Sequence, residues 1–168
     1  MKFHNPFIKE TLLISSLVLY FSCVEPFPEL PPETQIGAGT FGCLVNNELV
    51  FAKSGPNWWG IGAGASYIDS IKQLQISTGC QFGQQFIFLI NNPYERQDTL
   101  IDTVRYLPPN STDGMEATRT GNLRITRIGS LSNGYKIVSG NFFFDLNEPG
   151  KTPIHVTKGR FDLTFYTY

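Results

Sequence analysis

Four groups of residues have types and spacings that could carry chemistry. The first is Gly37-Ala38-Gly39-Thr40-Phe41-Gly42, a literal G-x-G-x-x-G. A dinucleotide site needs those glycines after a strand and at the head of a helix, where amides face a pyrophosphate. Here a proline-rich stretch precedes them and strand-like residues follow, so they read as a glycine-rich lead into a strand. The second group is the aspartates Asp69, Asp102, Asp145 and Asp162. Two of them could share acid and base work as in glycoside hydrolysis, but nothing in their spacing brings two together. His155 is the third, flanked by Ile154 and Val156 in a strand-like run. A lone imidazole without nearby cysteine or carboxylate makes no metal centre, and it reads as solvent-facing. The fourth is Trp58-Trp59, set between Gly55 and Gly60 in a stretch from Ser54 to Gly64 that reads as a glycine-rich loop. Indoles there either plug the core or form a stacking platform for a sugar ring, an apolar ligand or a protein partner. Tyr67 is grouped with them as a candidate ligand-binding residue, with Tyr94 and Tyr106 as weaker companions. There is no G-x-S-x-G and hence no nucleophile elbow. No catalytic residue, cofactor or metal site is assigned, and the chain reads as non-enzymatic.

The elements that must position these residues begin with an address. Lys2 and Lys9 precede an apolar run from Leu12 to Phe21, which closes on Ser22-Cys23. The run is shorter than the ~20 residues of a membrane-spanning helix, and it suits the apolar region of a secretory signal. Ser22-Cys23 looks like a lipobox, so residues 1–22 read as a lipoprotein signal peptide and Cys23 as the lipid anchor. Tyr20 and Phe21 are bulkier than usual there. Cleavage before Cys23 removes Lys2, Lys9 and Glu10 and leaves 11 basic against 13 acidic residues, net −2. No basic excess exists to neutralise phosphates, which argues against nucleic acid as a partner.

Residues 23–35 carry the anchor and then Pro26, Pro28, Pro31 and Pro32 with Glu25, Glu29 and Glu33. Prolines favour an extended chain, so this reads as a tether whose twelve residues after Cys23 would reach ~37 Å at ~3.1 Å per residue. From residue 36 to 168 the pattern is one β domain. Asn46-Asn47 reads as a two-residue hairpin turn between strands Phe41–Val45 and Glu48–Ala52. Leu74 and Ile76 alternate with polar residues, whereas Phe86-Ile87-Phe88-Leu89-Ile90 is apolar throughout and reads as covered on both faces. Leu100, Ile101, Val104 and Leu107 fall at helical spacing, so a short helix near 93–107 competes with a β-branched strand. Pro108 to Gly121 reads as a polar loop. Val138, Gly140, Phe142, Phe144 and Leu146 share one face. Phe161, Leu163 and Phe165 have the opposite parity to Ile154 and Val156, which predicts a bulge at Lys158-Gly159. The expected fold is all-β: an antiparallel sandwich or partly closed barrel of about 8–10 strands. Cys43 and Cys80, an even pair once Cys23 is lipidated, either form a disulfide or stay as two buried thiols.

Thr40-Phe41-Gly42-Cys43-Leu44-Val45-Asn46 resembles the opening of a family of Gram-negative bacterial lipoproteins of unknown function, whose domain begins G-A-N-T-F-G-C-x-V-N-G. Leu123-Arg124-Ile125-Thr126, Ile137 to Phe144 and Gly159-Arg160-Phe161-Asp162-Leu163 are similar to its ending. Gly39 stands in place of the family's Asn, and Asn47 in place of its Gly. The resemblance implies a lipid-anchored β domain of the cell envelope, on the outer membrane, and supplies no activity. Two functions stand open: a ligand- or partner-binding domain, and a structural subunit of a surface assembly. A hydrolase is a more distant third.

Overall fold

The computed structural model describes residues 29–53, 62–80, 83–95 and 100–168. Among them ten strands form one curled sheet, a half-barrel. They are β1 (Thr40–Val45), β2 (Glu48–Lys53), β3 (Gly62–Ile68), β4 (Gln73–Gly79), β5 (Gln85–Asn91), β6 (Ile101–Leu107), β7 (Met115–Thr120), β8 (Asn122–Ser130), β9 (Lys136–Leu146) and β10 (Ile154–Thr167). Neighbours run β2-β1-β10-β3-β4-β5-β6-β7, and β9 with β8 branches from β10. Among the described residues every pairing is antiparallel except that of β10 with β3, where Phe165–Thr167 run parallel to Ala65–Tyr67.

Local chemistry explains the joints. Asn46 and Asn47 both take positive φ, 49° and 69°, and close the β1–β2 hairpin as their tolerance of that region allows. Lys158, at φ 53°, shifts the β9–β10 register between Val156 and Gly159. That is the predicted bulge, and it moves Phe161, Leu163 and Phe165 onto the core face already held by Val156. Gly159 fits because Phe142 lies against its Cα, leaving no space for a Cβ.

The core is a pile of rings. Phe142 stacks on Phe41 at 5.3 Å and meets Phe88 edge-on at 5.0 Å, while Phe86 lies 4.9 Å from Tyr106. Phe142, Phe144, Phe161 and Leu163 are all buried, as their alternation requires. Phe86, Phe88 and Ile90 are buried too, but Ile87 and Leu89 are only half-buried, so β5 has one core face where two were expected.

Three further expectations change. Residues 101–107 form β6 and not a helix: Ile101 and Val104 are both buried, and their three-residue spacing imitates helical periodicity. The stretch 108–121 holds β7, an edge strand in which Met115 alone is buried, so no alternation marks it. Gly62-Ala63-Gly64, read as the tail of a loop, opens β3.

The proline-rich segment is also built into the fold where it is described. Pro31 lies against Gly42, whose missing Cβ makes the room, and its carbonyl accepts a bond from Arg160 at 2.9 Å. The Gln35 carbonyl accepts one from Arg127 at 2.8 Å. Next, the buried Asp162 carboxylate gathers five donors: Thr34 Oγ1 at 2.6 Å, the amides of Ile36, Gly37 and Ala38 at 3.1, 2.9 and 3.1 Å, and Ser139 Oγ at 2.7 Å. Gly37 and Gly39 take positive φ here. The amides of the G-x-G-x-x-G stretch thus do hold an anion, but it is the protein's own carboxylate. The tether expected over 23–35 is therefore, from residue 31 on, a strap laid along β10.

Candidate functional site

Tyr67 lies at the end of β3, where the chain turns through a 3-10 turn, Asp69–Ile71, into β4. Lys72 closes that turn in the left-handed region, and its carbonyl accepts the Asn92 amide at 2.7 Å. Asn92, itself at φ 49°, turns the chain out of β5 so that Tyr94 folds back toward β3. The two tyrosine rings meet edge-to-face, 5.3 Å between centroids at 89°. The C-terminus completes the rim: Tyr168 donates its amide to the Tyr67 carbonyl at 3.0 Å, and its own carbonyl accepts the Asp69 amide at 3.1 Å.

The result is a cleft of about 260 Å³, lined by Tyr67, Asp69, Lys72, Asn92, Tyr94, Glu95, Lys136 and Thr167. Lys136 Nζ is fixed by Thr167 Oγ1 at 2.7 Å. Tyr67 is buried beneath and Tyr94 is half exposed at 50 %, so a ligand would meet mainly the Tyr94 ring. Partial burial, with Tyr67 and Asp69 close by, pushes the Tyr94 phenol above its ordinary value, which keeps it a neutral hydrogen-bond donor. Two ammonium groups and two carboxylates around one aromatic face give polar contacts of both signs and no net charge. The volume is near the small end of ligand pockets, ~300 Å³, and suits one ring-sized polar molecule.

The other sequence candidates divide. Cys23, Trp58 and Trp59 lie outside the described residues. Gly62, the first described residue after the tryptophans, is at the opposite end of β3 from Tyr67, ~17 Å away at ~3.3 Å per residue. Tyr106 belongs to the core and not to the cleft. Cys43 and Cys80 are free thiols, both fully buried. Burial, reinforced by the neighbouring Cys80, pushes the Cys43 thiol far up. Burial likewise raises Cys80 to about 11, against a hydrogen bond with Thr78 that lowers it. Both thiols are therefore protonated and inert at neutral pH. His155 is exposed, with Nδ1 2.8 Å from the Asp145 carboxylate. Among the described residues no three His, Cys, Asp or Glu side chains gather as metal ligands, and no helix is long and apolar enough to cross a membrane.

The sequence names Tyr67 and Tyr94 as companions of the tryptophans but does not gather them with Lys72 and Lys136, because the two rings become neighbours only through the β3–β4–β5 register. Compared with protein-family models, curated proteins and solved structures, the chain matches none.

Proposed function

We propose that this chain is a lipid-anchored envelope domain that binds a small polar ring, such as a sugar residue, in the Tyr67–Tyr94 cleft without transforming it. The observation that carries the reading is the half-exposed Tyr94 ring, braced edge-on by Tyr67 and surrounded by Lys72, Lys136, Asp69 and Glu95. Sugars offer an apolar C–H face to an aromatic ring and hydroxyls to charged side chains on either side, which is what this lining complements. Cys23 would hold the domain on the outer membrane, as Ser22-Cys23 after a short apolar run implies.

The test is a glycan-array screen of the mature chain, followed by titration of any hit against Tyr94→Ala and Trp58→Ala. The reading expects Tyr94→Ala to weaken binding at least tenfold while its melting point stays near wild type, because a half-exposed ring contributes more to recognition than to stability. Equal binding by Tyr94→Ala, or loss only in Trp58→Ala, would move the site away from this cleft. Release of reducing sugar that disappears in Asp69→Asn would instead make the protein a hydrolase. For the anchor, cells fed a clickable fatty acid should label wild type and not Cys23→Ala.

A further inference from the structure

A second surface lies on the opposite flank of β10, where the strap leaves the domain. Register aligns Arg124 of β8, Asn141 of β9 and Arg160 of β10 in one row across the sheet, with Asn122 and Phe143 paired beside them. Neighbouring strands stand ~4.8 Å apart, so the two guanidinium-bearing positions are ~10 Å apart with an amide between them. Lys158 sits in the β10 bulge and is exposed. Together with Phe143, these residues line a shallow depression of about 310 Å³. Its one carboxylate, Glu33, is on the strap and accepts a bond from Asn141 at 3.4 Å. Three cations against one carboxylate stand out on a mature chain of net charge −2. Phe143 is 55 % exposed in their midst, although its neighbours Phe142 and Phe144 are buried.

We propose that this face docks on the surface of an anionic phospholipid leaflet, with Phe143 entering the headgroup layer and Arg124, Lys158 and Arg160 meeting lipid phosphates. The inference rests on the lipid-anchor reading for its orientation. Pro31 is pinned by Arg160 and packed on Gly42, so only eight residue-to-residue steps separate Cys23 from the docked strap. Fully extended, they span at most ~29 Å. A lipid on Cys23 therefore tethers the domain by this flank and not by the Tyr94 cleft. An aromatic ring among basic side chains is how peripheral domains grip a leaflet: the ring settles at the interface, and each cation adds about fivefold in affinity for acidic lipid. The anchor holds the protein at the membrane, and the docked face then fixes which side of the domain lies against the leaflet.

The experiment uses the mature lipidated protein with Phe143→Cys coupled to an environment-sensitive fluorophore. Cys43 and Cys80, being buried, should stay unlabelled. Flotation with vesicles reports the anchor, and fluorophore emission reports the docked face. The expected result is flotation with both phosphatidylcholine and phosphatidylglycerol-containing vesicles, but a blue shift only with the latter, reversed by ~1 M salt. Adding Arg124→Glu and Lys158→Glu should abolish the shift while flotation persists. Flotation without any shift on phosphatidylglycerol would overturn the docking face and leave the anchor reading intact. Absence of flotation on phosphatidylcholine, with the shift retained on phosphatidylglycerol, would remove the anchor and leave the face. A shift produced by soluble glycerophosphate alone would make the surface a small-anion site and overturn the leaflet.

Discussion

Asp162→Asn is the substitution whose consequence follows most directly from geometry. Oδ2 of Asp162 accepts from Thr34 Oγ1 and the amides of Ile36 and Ala38, and Oδ1 accepts from the Gly37 amide and Ser139 Oγ. A carboxamide can keep only one of those oxygens. Its better orientation places the NH₂ at the Oδ1 position, where the Ser139 hydroxyl can turn and accept but the Gly37 amide cannot. One orphaned amide costs ~1–3 kcal/mol, and three remaining bonds lose the charge assistance that separates ~1.5–3 from ~0.5–1.5 kcal/mol each. Release of the strap, which lets water reach the amides, caps the total at ~3–5 kcal/mol by that accounting. Thermal melts of the β domain with its strap, residues 29–168, should show the variant lower by roughly 10–20 °C for a domain of this size. Acid provides a second readout. Burial raises the Asp162 pKa, but the hydrogen bonds from Thr34, Ser139 and the amides of Ala38 and Ile36 outweigh it and hold the carboxyl below its ordinary value. The stability this confers is present above the unfolded value, ~3.9, and is lost as pH falls through the lower folded value. Wild type should therefore lose stability on acidification over that window, and the Asn variant should lose less. Stabilities within ~0.5 kcal/mol of each other, with parallel acid profiles, would refute the claim that Asp162 holds the strap.

Phe142→Ala should cost ~3–5 kcal/mol in urea titrations, since the ring touches Phe41, Phe88, Phe144 and Phe161; a loss under ~1 kcal/mol would mean the core is packed otherwise. Gly159→Ala should destabilise by ~1–3 kcal/mol, because the new methyl meets the Phe142 ring at the bulge, and an unchanged melt would show that the bulge can shift. Native protein lacking Cys23 should react with Ellman's reagent only as fast as it opens, and denatured, unreduced protein should then count two thiols; a count of zero would establish a Cys43–Cys80 disulfide.

What the sequence disclosed follows from how locally each feature is encoded. Phe142, Phe144, Phe161 and Leu163 announce their faces because a half-buried strand repeats every two residues. The Lys158 bulge is legible because it breaks that repeat. Asn46-Asn47 signals its own turn. Residues 101–107 mislead because Ile101 and Val104 are buried three apart, and only cross-strand partners on β5 and β7 decide the matter. β7 carries no pattern because an edge strand with one buried residue needs none. The Tyr67–Tyr94 cleft is invisible for a different reason, since the two rings are 27 positions apart and meet through register. Asp162 looks like any strand aspartate until the strap lies beside it, although the G-x-G-x-x-G amides were the one hint that an anion was wanted there.

The pairings of β10 carry a consequence for the order in which this molecule can assemble. The β1–β2 hairpin, the β3-to-β7 meander and the β8–β9 hairpin are each built from chain neighbours. Among the described residues the ladder bonds joining these three modules all run through β10, to β1, β3 and β9. The last fourteen-residue strand is thus a keystone that arrives after everything it must unite. Until it pairs, β1, β3 and β9 each keep an unpaired edge, the kind of surface that invites pairing with another chain. Local modules form quickly and long-range closure slowly, so the rate of reaching the native state should be set by the docking of β10. A chain cut before Ile154 would lose the coupling between modules and not merely one strand, and three exposed edges would be left to find partners elsewhere.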